Sequence, residues 1–383
     1  MAKWAGKYVI GLTGNIGTGK SVVRRMLEHL GAYGIDADAL SHRAMARGAP
    51  GYQPIISAFG SWVLGPDGEI DRTKLGRLVF NDPDALITLE RIVHPLVNQA
   101  VNFLAKRAGQ KVIVIEAIKL LESSLIAYCD SVWVTYASPK IQVARLVQKR
   151  HMSDIDARQR ISSQPPQEEK IAAATVVIRN ELTFEDTWRQ VMNAWQKYVP
   201  ESAQSVPVAV VEALPATAPL SQISVRRGRP RDSEEIAAII NRLSKNDKQI
   251  TRNDVMEAFG EKAFLLLQIG NQPAGVMGWQ VENLVARATD IFLDPAVPAE
   301  QAVSAFITEM ERSSRDLQCE ASLVFAPPEL TRLESVWRKL GYEPRKAETL
   351  GVQAWQEAAE ETKTATTTLL FKQLRQDRIL RPI

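Results

Sequence analysis

Several things that would place the chain outside a reducing, aqueous compartment are scarce or missing. Cys129 and Cys319 are its two cysteines. They lie in segments read below as separate domains, so neither a disulfide framework nor a thiolate zinc site is expected. No run of about 18 apolar residues occurs, and the N-terminal segment lacks the apolar stretch of a signal peptide. A cytoplasmic protein without a membrane partner is the expectation. Net charge is scarce too, only +3 with 24% charged residues, so there is no strong electrostatic case for a nucleic-acid partner and none is expected. No internal repeat is visible.

At 383 residues the chain is long enough for two or three domains, each with a sizeable core. Residues 199–222 carry Pro200, Pro207, Pro215 and Pro219 among alanines and serines with hardly any charge, the composition of an interdomain linker. Residues 206–214 also fit a strand that caps one of the domains. Before this stretch, apolar runs at 8–12, 111–115, 131–136 and 175–178 alternate with helical segments, the pattern of an α/β parallel sheet flanked by helices. After it, strands and helices are grouped in an α+β order. The expected division is 1–198, a linker at 199–222, and 223–383.

What is abundant locally is glycine around Lys20. Gly14, Gly17, Gly19, Lys20 and Ser21 satisfy the phosphate-loop pattern G-x-x-x-x-G-K-[ST], between a short strand and an amphipathic helix. Glycines let the backbone wrap phosphate oxygens, with N–H groups and the positive helix end facing the anion. ATP binding is therefore expected at Gly14, Gly17, Thr18, Gly19, Lys20, Ser21 and Val22. Lys20 is expected to reach the β and γ phosphates and Ser21 to hold Mg²⁺.

A phosphate loop alone does not separate a kinase from an ATPase or GTPase. Asp36 and Asp38 follow the second strand, where ligands of open α/β sheets bind, and a carboxylate there can take a proton from an acceptor hydroxyl. Either acid can instead cap the helix that follows. From residue 7 to about 197 the chain resembles the dephospho-coenzyme A kinases. Besides the loop, the likeness rests on Ile35 to Asp38, Asp71-Arg72, Leu75, Val79-Phe80, Asp82-Pro83 and Ile92 to Val97 with His94-Pro95. It continues through Arg145-Leu146, Ser153, Ala157, Arg160-Ile161, Gln164, Lys170, Val177-Ile178 and Asn180.

The resemblance implies that a P-loop kinase phosphorylates the ribose 3′-hydroxyl of dephospho-coenzyme A, the last step of coenzyme A biosynthesis. ATP is the implied co-substrate and Asp38 the general base. It also implies a lid over ATP from about 141 to 164, with Arg145 as phosphate donor among Arg145, Arg150 and Arg160, and a substrate-binding helix that starts at His94-Pro95. A helix-opening His-Pro is also a simple capping arrangement. Asp36, His94 and Glu116 are the expected acceptor-binding residues. The chain departs from the family's Asp-x-Pro-Leu-Leu-x-Glu after the third strand, with Glu116, Ile118 and Lys119 at the aspartate, proline and following leucine positions. Lys149 stands where a lid arginine is common, Thr175 replaces an aspartate, and no glycine follows Asn180.

Residues 223–383 resemble, in order of elements, a GNAT-type N-acetyltransferase. The glycine turn that cradles a diphosphate in that fold is replaced by Pro298 to Val303 with Glu300, and Trp337 stands where a tyrosine acid is common. An accessory, degenerate domain is the expectation, with Trp279, Phe292, Phe306 and Trp337 in its core. Docking on the first domain is left open, and the first domain is expected to work largely without the second. Two other readings remain: a bifunctional kinase and N-acetyltransferase, or a nucleotide-dependent coenzyme A sensor without turnover.

Overall fold

The computed structural model describes residues 4–150, 152–204, 223–244, 249–270, 272–362, 366–376 and 380. The first half alternates strand and helix as the apolar runs require: β1 (Tyr8–Thr13), α1 (Lys20–His29), β2 (Tyr33–Asp36), α2 (Ala37–Met45), α3 (Tyr52–Phe59), α4 (Arg72–Asn81), α5 (Pro83–Arg107), β3 (Val112–Glu116) and β4 (Ser131–Tyr136). Then come α6 (Pro139–Arg150), α7 (Asp154–Ser162), α8 (Gln167–Ala172), β5 (Val176–Arg179), α9 (Phe184–Tyr198) and a short α10 (Glu201–Gln204). All five strands run parallel in the order β2-β3-β1-β4-β5. Such a sheet is covered on both faces, and Val112 to Glu116 are buried throughout.

Helix starts follow the local chemistry. Asp82 accepts from the N–H groups of Asp84 and Ala85, with Pro83 in the first turn of α5. Thr183 and Asp186 form a capping box on α9. Because α5 already starts at Pro83, His94-Pro95 does not open a helix. Pro95 lies in its interior, where the ring removes one N–H, and both residues face solvent. Val199 is buried, and Gln204 Nε2 donates to its carbonyl at 2.6 Å. The strand reading of residues 206–214 lies outside the described residues.

The second half has β6 (Ile223–Arg227), α11 (Ser233–Leu243), α12 (Arg252–Ala258), β7 (Ala263–Ile269), β8 (Gln272–Glu282), β9 (Val285–Leu293), α13 (Ala299–Asp316) and β10 (Ala321–Ala326). It ends with α14 (Pro328–Thr331), α15 (Glu334–Leu340), β11 (Glu343–Pro344), α16 (Gln353–Thr362) and β12 (Thr368–Gln373). These strands form a mixed sheet, β11-β12-β10-β9-β8-β7-β6, with β9 and β10 parallel and the other neighbours antiparallel. Trp279, Phe306 and Trp337 are buried in one core as expected, while Phe292 is partly buried at the edge of another.

The two halves touch along a broad seam. Leu284 and Leu317 of the second half pack against the first core, and Phe184 of α9 packs against the core around Phe259. His29 lies edge-on to Phe259, with ring centroids 5.3 Å apart. Among the described residues, no helix is long and apolar enough to cross a membrane.

Candidate active site

Strand register brings the chemistry together. Leu12 pairs with Glu116 and Asp36 pairs with the same Glu116, so the phosphate loop, Glu116 and Asp36 leave the sheet side by side at its C-terminal edge. The loop is packed too tightly for side chains at two glycines. A Cβ on Gly14 would lie 2.3 Å from Thr135 Oγ1, and one on Gly19, whose φ is +93°, would lie 2.0 Å from Asn180 Nδ2.

The loop carbonyls are held from outside. Asn180 Nδ2 donates to Thr18 O at 3.0 Å, while Arg145 donates to Gly17 O at 3.2 Å and to Asn180 O at 2.9 Å. In a trans peptide the N–H points away from the carbonyl, so the amides of Thr18 and Gly19 face away from these braces. Thr18 spends its hydroxyl inward, on Asn15 O at 2.8 Å and on Thr135 Oγ1 at 2.7 Å. The segment after α7 reaches the loop through Gln164, which accepts from Ile16 N at 2.7 Å, and Pro165, whose carbonyl accepts from Asn15 Nδ2 at 2.8 Å. Val22 continues α1 toward the seam, next to Gly260 and the core around Val23.

Lys20 is buried and donates to Asn15 O at 3.3 Å. Burial holds its ammonium below the ordinary lysine range, opposed by the nearby carboxylates of Glu116 and Asp38. Ser21 donates its hydroxyl to Glu116 Oε1 at 3.0 Å, and Arg24 Nε donates to Glu116 Oε2 at 2.7 Å. Glu116 therefore stands beside the loop serine as well as next to Asp36. Arg24, absent from the sequence-based site, continues the network to Glu28 at 2.7 Å. Its spacing, one turn after Lys20 and one before Glu28, is the available signal.

Asp36 is the N-cap of α2, accepting from Ala39 N at 2.8 Å. Burial and then the Glu116 charge push its carboxyl up to about 6. Asp38, in the first turn, accepts from Ile118 N at 3.0 Å. Burial raises its carboxyl above the usual range, while the Ile118 N–H, Lys20 and Lys170 act in the opposite direction. Ile118 is itself fixed, because its carbonyl accepts from Lys170 Nζ at 2.6 Å and from Thr13 Oγ1 at 3.1 Å. Lys170 is thus a site residue to which the sequence assigned no role. His94 is exposed and makes no hydrogen bond among the described residues, so the structure does not join it to this cluster. Arg160 is exposed as well, whereas Arg150 is close enough to Lys20 to disfavour its charge.

Residues 8–186 match the model of the family described as dephospho-CoA kinase. Over 196 residues the chain is 43% identical to a dephospho-CoA kinase of Streptomyces avermitilis, covering 96% of that protein and 51% of this chain. The chain belongs to the dephospho-CoA kinase family. A dephospho-CoA kinase of Geobacter metallireducens is 42% identical over 194 residues, with 96% of it and 50% of this chain covered. These matches account for the first half of this kinase. Elsewhere, a GNAT-family acetyltransferase from Streptococcus pneumoniae covers 40% of this chain and 99% of its own at 12% identity and a TM-score of 0.31.

The oxygen donors of Ser21 and Glu116 suit Mg²⁺, which takes one or two protein oxygens and completes its shell with water and substrate phosphates. Among the described residues no group of three or more His, Cys, Asp or Glu side chains is arranged to hold a metal ion.

Proposed function

We propose that the chain transfers the γ-phosphoryl group of ATP to the ribose 3′-hydroxyl of dephospho-coenzyme A, giving coenzyme A and ADP. The observation that carries this reading is that the phosphate loop and Asp36 leave the sheet at one edge, with Asp38 in the first turn of the helix that Asp36 caps. The amides around Gly14, Gly17, Thr18, Gly19, Lys20, Ser21 and Val22 receive the ATP phosphates, and Lys20 offsets charge on the transferring group. Asp38 takes the 3′-hydroxyl proton as that oxygen bonds to the γ phosphorus, and the β–γ bridging oxygen leaves with ADP.

The Ile118 N–H keeps the Asp38 carboxylate aimed and favours its ionised form, against the desolvation that raises its pKa. Ser21 and Glu116 would hold Mg²⁺, which would offset negative charge on the phosphates during transfer. Arg145 braces the loop through Gly17 O and Asn180 O, so its contribution is to the shape of the nucleotide site. Asp36 caps the helix that carries the base.

The second half acts as an accessory domain. Trp337 is buried with its indole N–H donated to Leu330 O at 2.8 Å, leaving no proton to give, and α13 opens with Pro298 and Glu300 where an anion would need free amides and no carboxylate. A cytoplasmic location, where Cys129 and Cys319 would stay as thiols, suits this reading.

The direct test is incubation with ATP, Mg²⁺ and dephospho-coenzyme A, followed by mass spectrometry of the products. A 3′-phosphorylated product at about 1 turnover per second or faster is expected of a kinase. No product from protein that still binds ATP would overturn the assignment.

A further inference from the structure

The second half grips the helix that carries Asp38. At the tip of the β8–β9 hairpin, Asn283 and Leu284 form a two-residue turn between the paired Glu282 and Val285, with φ of 51° and 62°. This left-handed turn twists correctly for a hairpin, but it disfavours leucine. Leu284 nevertheless occupies it, and its side chain packs against the first core. A second segment, after α13, brings Leu317 to the same core, and its carbonyl accepts from Tyr33 on β2 at 3.3 Å.

Between these two contacts lies Arg43 of α2. It donates to Asn283 O at 2.9 Å and to Glu320 Oε2 at 2.6 Å. The Arg43 side chain is 10% exposed and that of Glu320 is 0%, so the pair is closed to solvent. Glu320 is fixed by its own backbone, whose N–H donates to Leu284 O at 2.7 Å. Arg43 and Asp38 lie on different sides of α2, which is thus held between the second half and Ile118.

We propose that Leu284, Glu320 and Arg43 are positioning residues for phosphoryl transfer, through which the second half fixes α2 and hence the Asp38 carboxylate. The proposal rests on Asp38 as base. It goes beyond the expectation that the first domain works largely alone, because it makes the chemical step depend on Leu284 and Glu320, 246 and 282 positions downstream of that base.

The test uses the full chain with Leu284→Gly, which removes the apolar grip while easing the turn, and Glu320→Gln, which removes the charge but keeps the shape. Hydrogen exchange is read for residues 37–45 and 20–29, together with ATP affinity and kcat at saturating substrates. The double variant should exchange faster at 37–45 alone and lose about 10- to 100-fold in kcat, the scale of a slightly misplaced reacting group, with ATP affinity kept. Unchanged exchange and kcat would overturn the proposal, as would equal losses of ATP binding and turnover from general loosening. Asp38→Asn separates the two readings. If it keeps wild-type turnover, the base assignment fails by itself, while the exchange rates still decide whether the second half holds α2.

Discussion

The phosphate loop is made from consecutive residues that end in a helix, and its braces, Arg145 and Asn180, belong to the same sheet and lid. Asp38 is held by Ile118 after β3, with Lys170 nearby, on a helix pinned from outside by Glu320. The nucleotide side is thus local in the sense of one consecutive stretch braced within the first half, whereas the acceptor side is assembled with contacts that reach the second half. Local motifs of this kind survive being read in isolation, but an assembled side can be disturbed from many places. The sharpest way to break this comparison is at Asp38. Asp38→Asn should lower kcat by about 100- to 10,000-fold, the range of a lost general base, with ATP affinity unchanged by calorimetry. Lys20→Ala should cost about 100- to 1,000-fold and weaken ATP binding as well. Equal effects of the two variants on ATP affinity would erase the distinction between the two sides.

Ile118→Pro probes the acceptor side alone. Proline has no N–H, so the bond to Asp38 is lost, and the family pattern places proline at this position, so the ring suits the turn. A hydrogen bond to a carboxylate favours its ionised form, and removing it raises the carboxyl pKa. The acid limb of the kcat profile should therefore move to higher pH, with rates converging with wild type in the alkaline range. An unmoved limb would mean that the Ile118 N–H does not tune the base.

How much of this was legible in the sequence follows the same division. The loop, its flanking strand and helix, and the parallel sheet are written in short patterns of glycine and apolar residues, and the structure has them where the pattern put them. Glu116 could not be placed from its motif, because its neighbour Ser21 belongs to another strand's exit, and only the register of β1 with β3 joins them. His94-Pro95 misled for a physical reason, since Asp82-Pro83 is the stronger helix start and α5 runs on through Pro95. The Arg43–Glu320 pair left no trace in sequence, because it depends on how two domains dock.

A smaller effect is expected at His29, which meets Phe259 O at 3.0 Å across the seam. Desolvation, with Arg227 and Arg25 adding to it, lowers its pKa from 6.5 to about 3, so the folded form keeps it neutral. Its share of stability is complete above the unfolded value of 6.5 and is lost as pH falls toward 3, by about 1.4 kcal/mol per pH unit. Between pH 7 and pH 5 the seam near α12 should loosen, seen as faster amide exchange at residues 252–259. His29→Gln should flatten that dependence.

The smallest effect belongs to the contact between α6, within the expected lid, and the second half. Lys149 Nζ lies 2.8 Å from Glu261 Oε1, but the side chains are 66% and 62% exposed. Water and salt screen such a pair, and ordering two long side chains opposes it, so Lys149→Ala should change stability by no more than about 0.5 kcal/mol. The variant should leave kcat and its pH profile alone, while slightly weakening the salt dependence of unfolding. A loss of kcat comparable to that of the Leu284 and Glu320 variants would mean that the second half controls the lid as strongly as the base, and the contrast between a local nucleotide side and an assembled acceptor side would no longer hold.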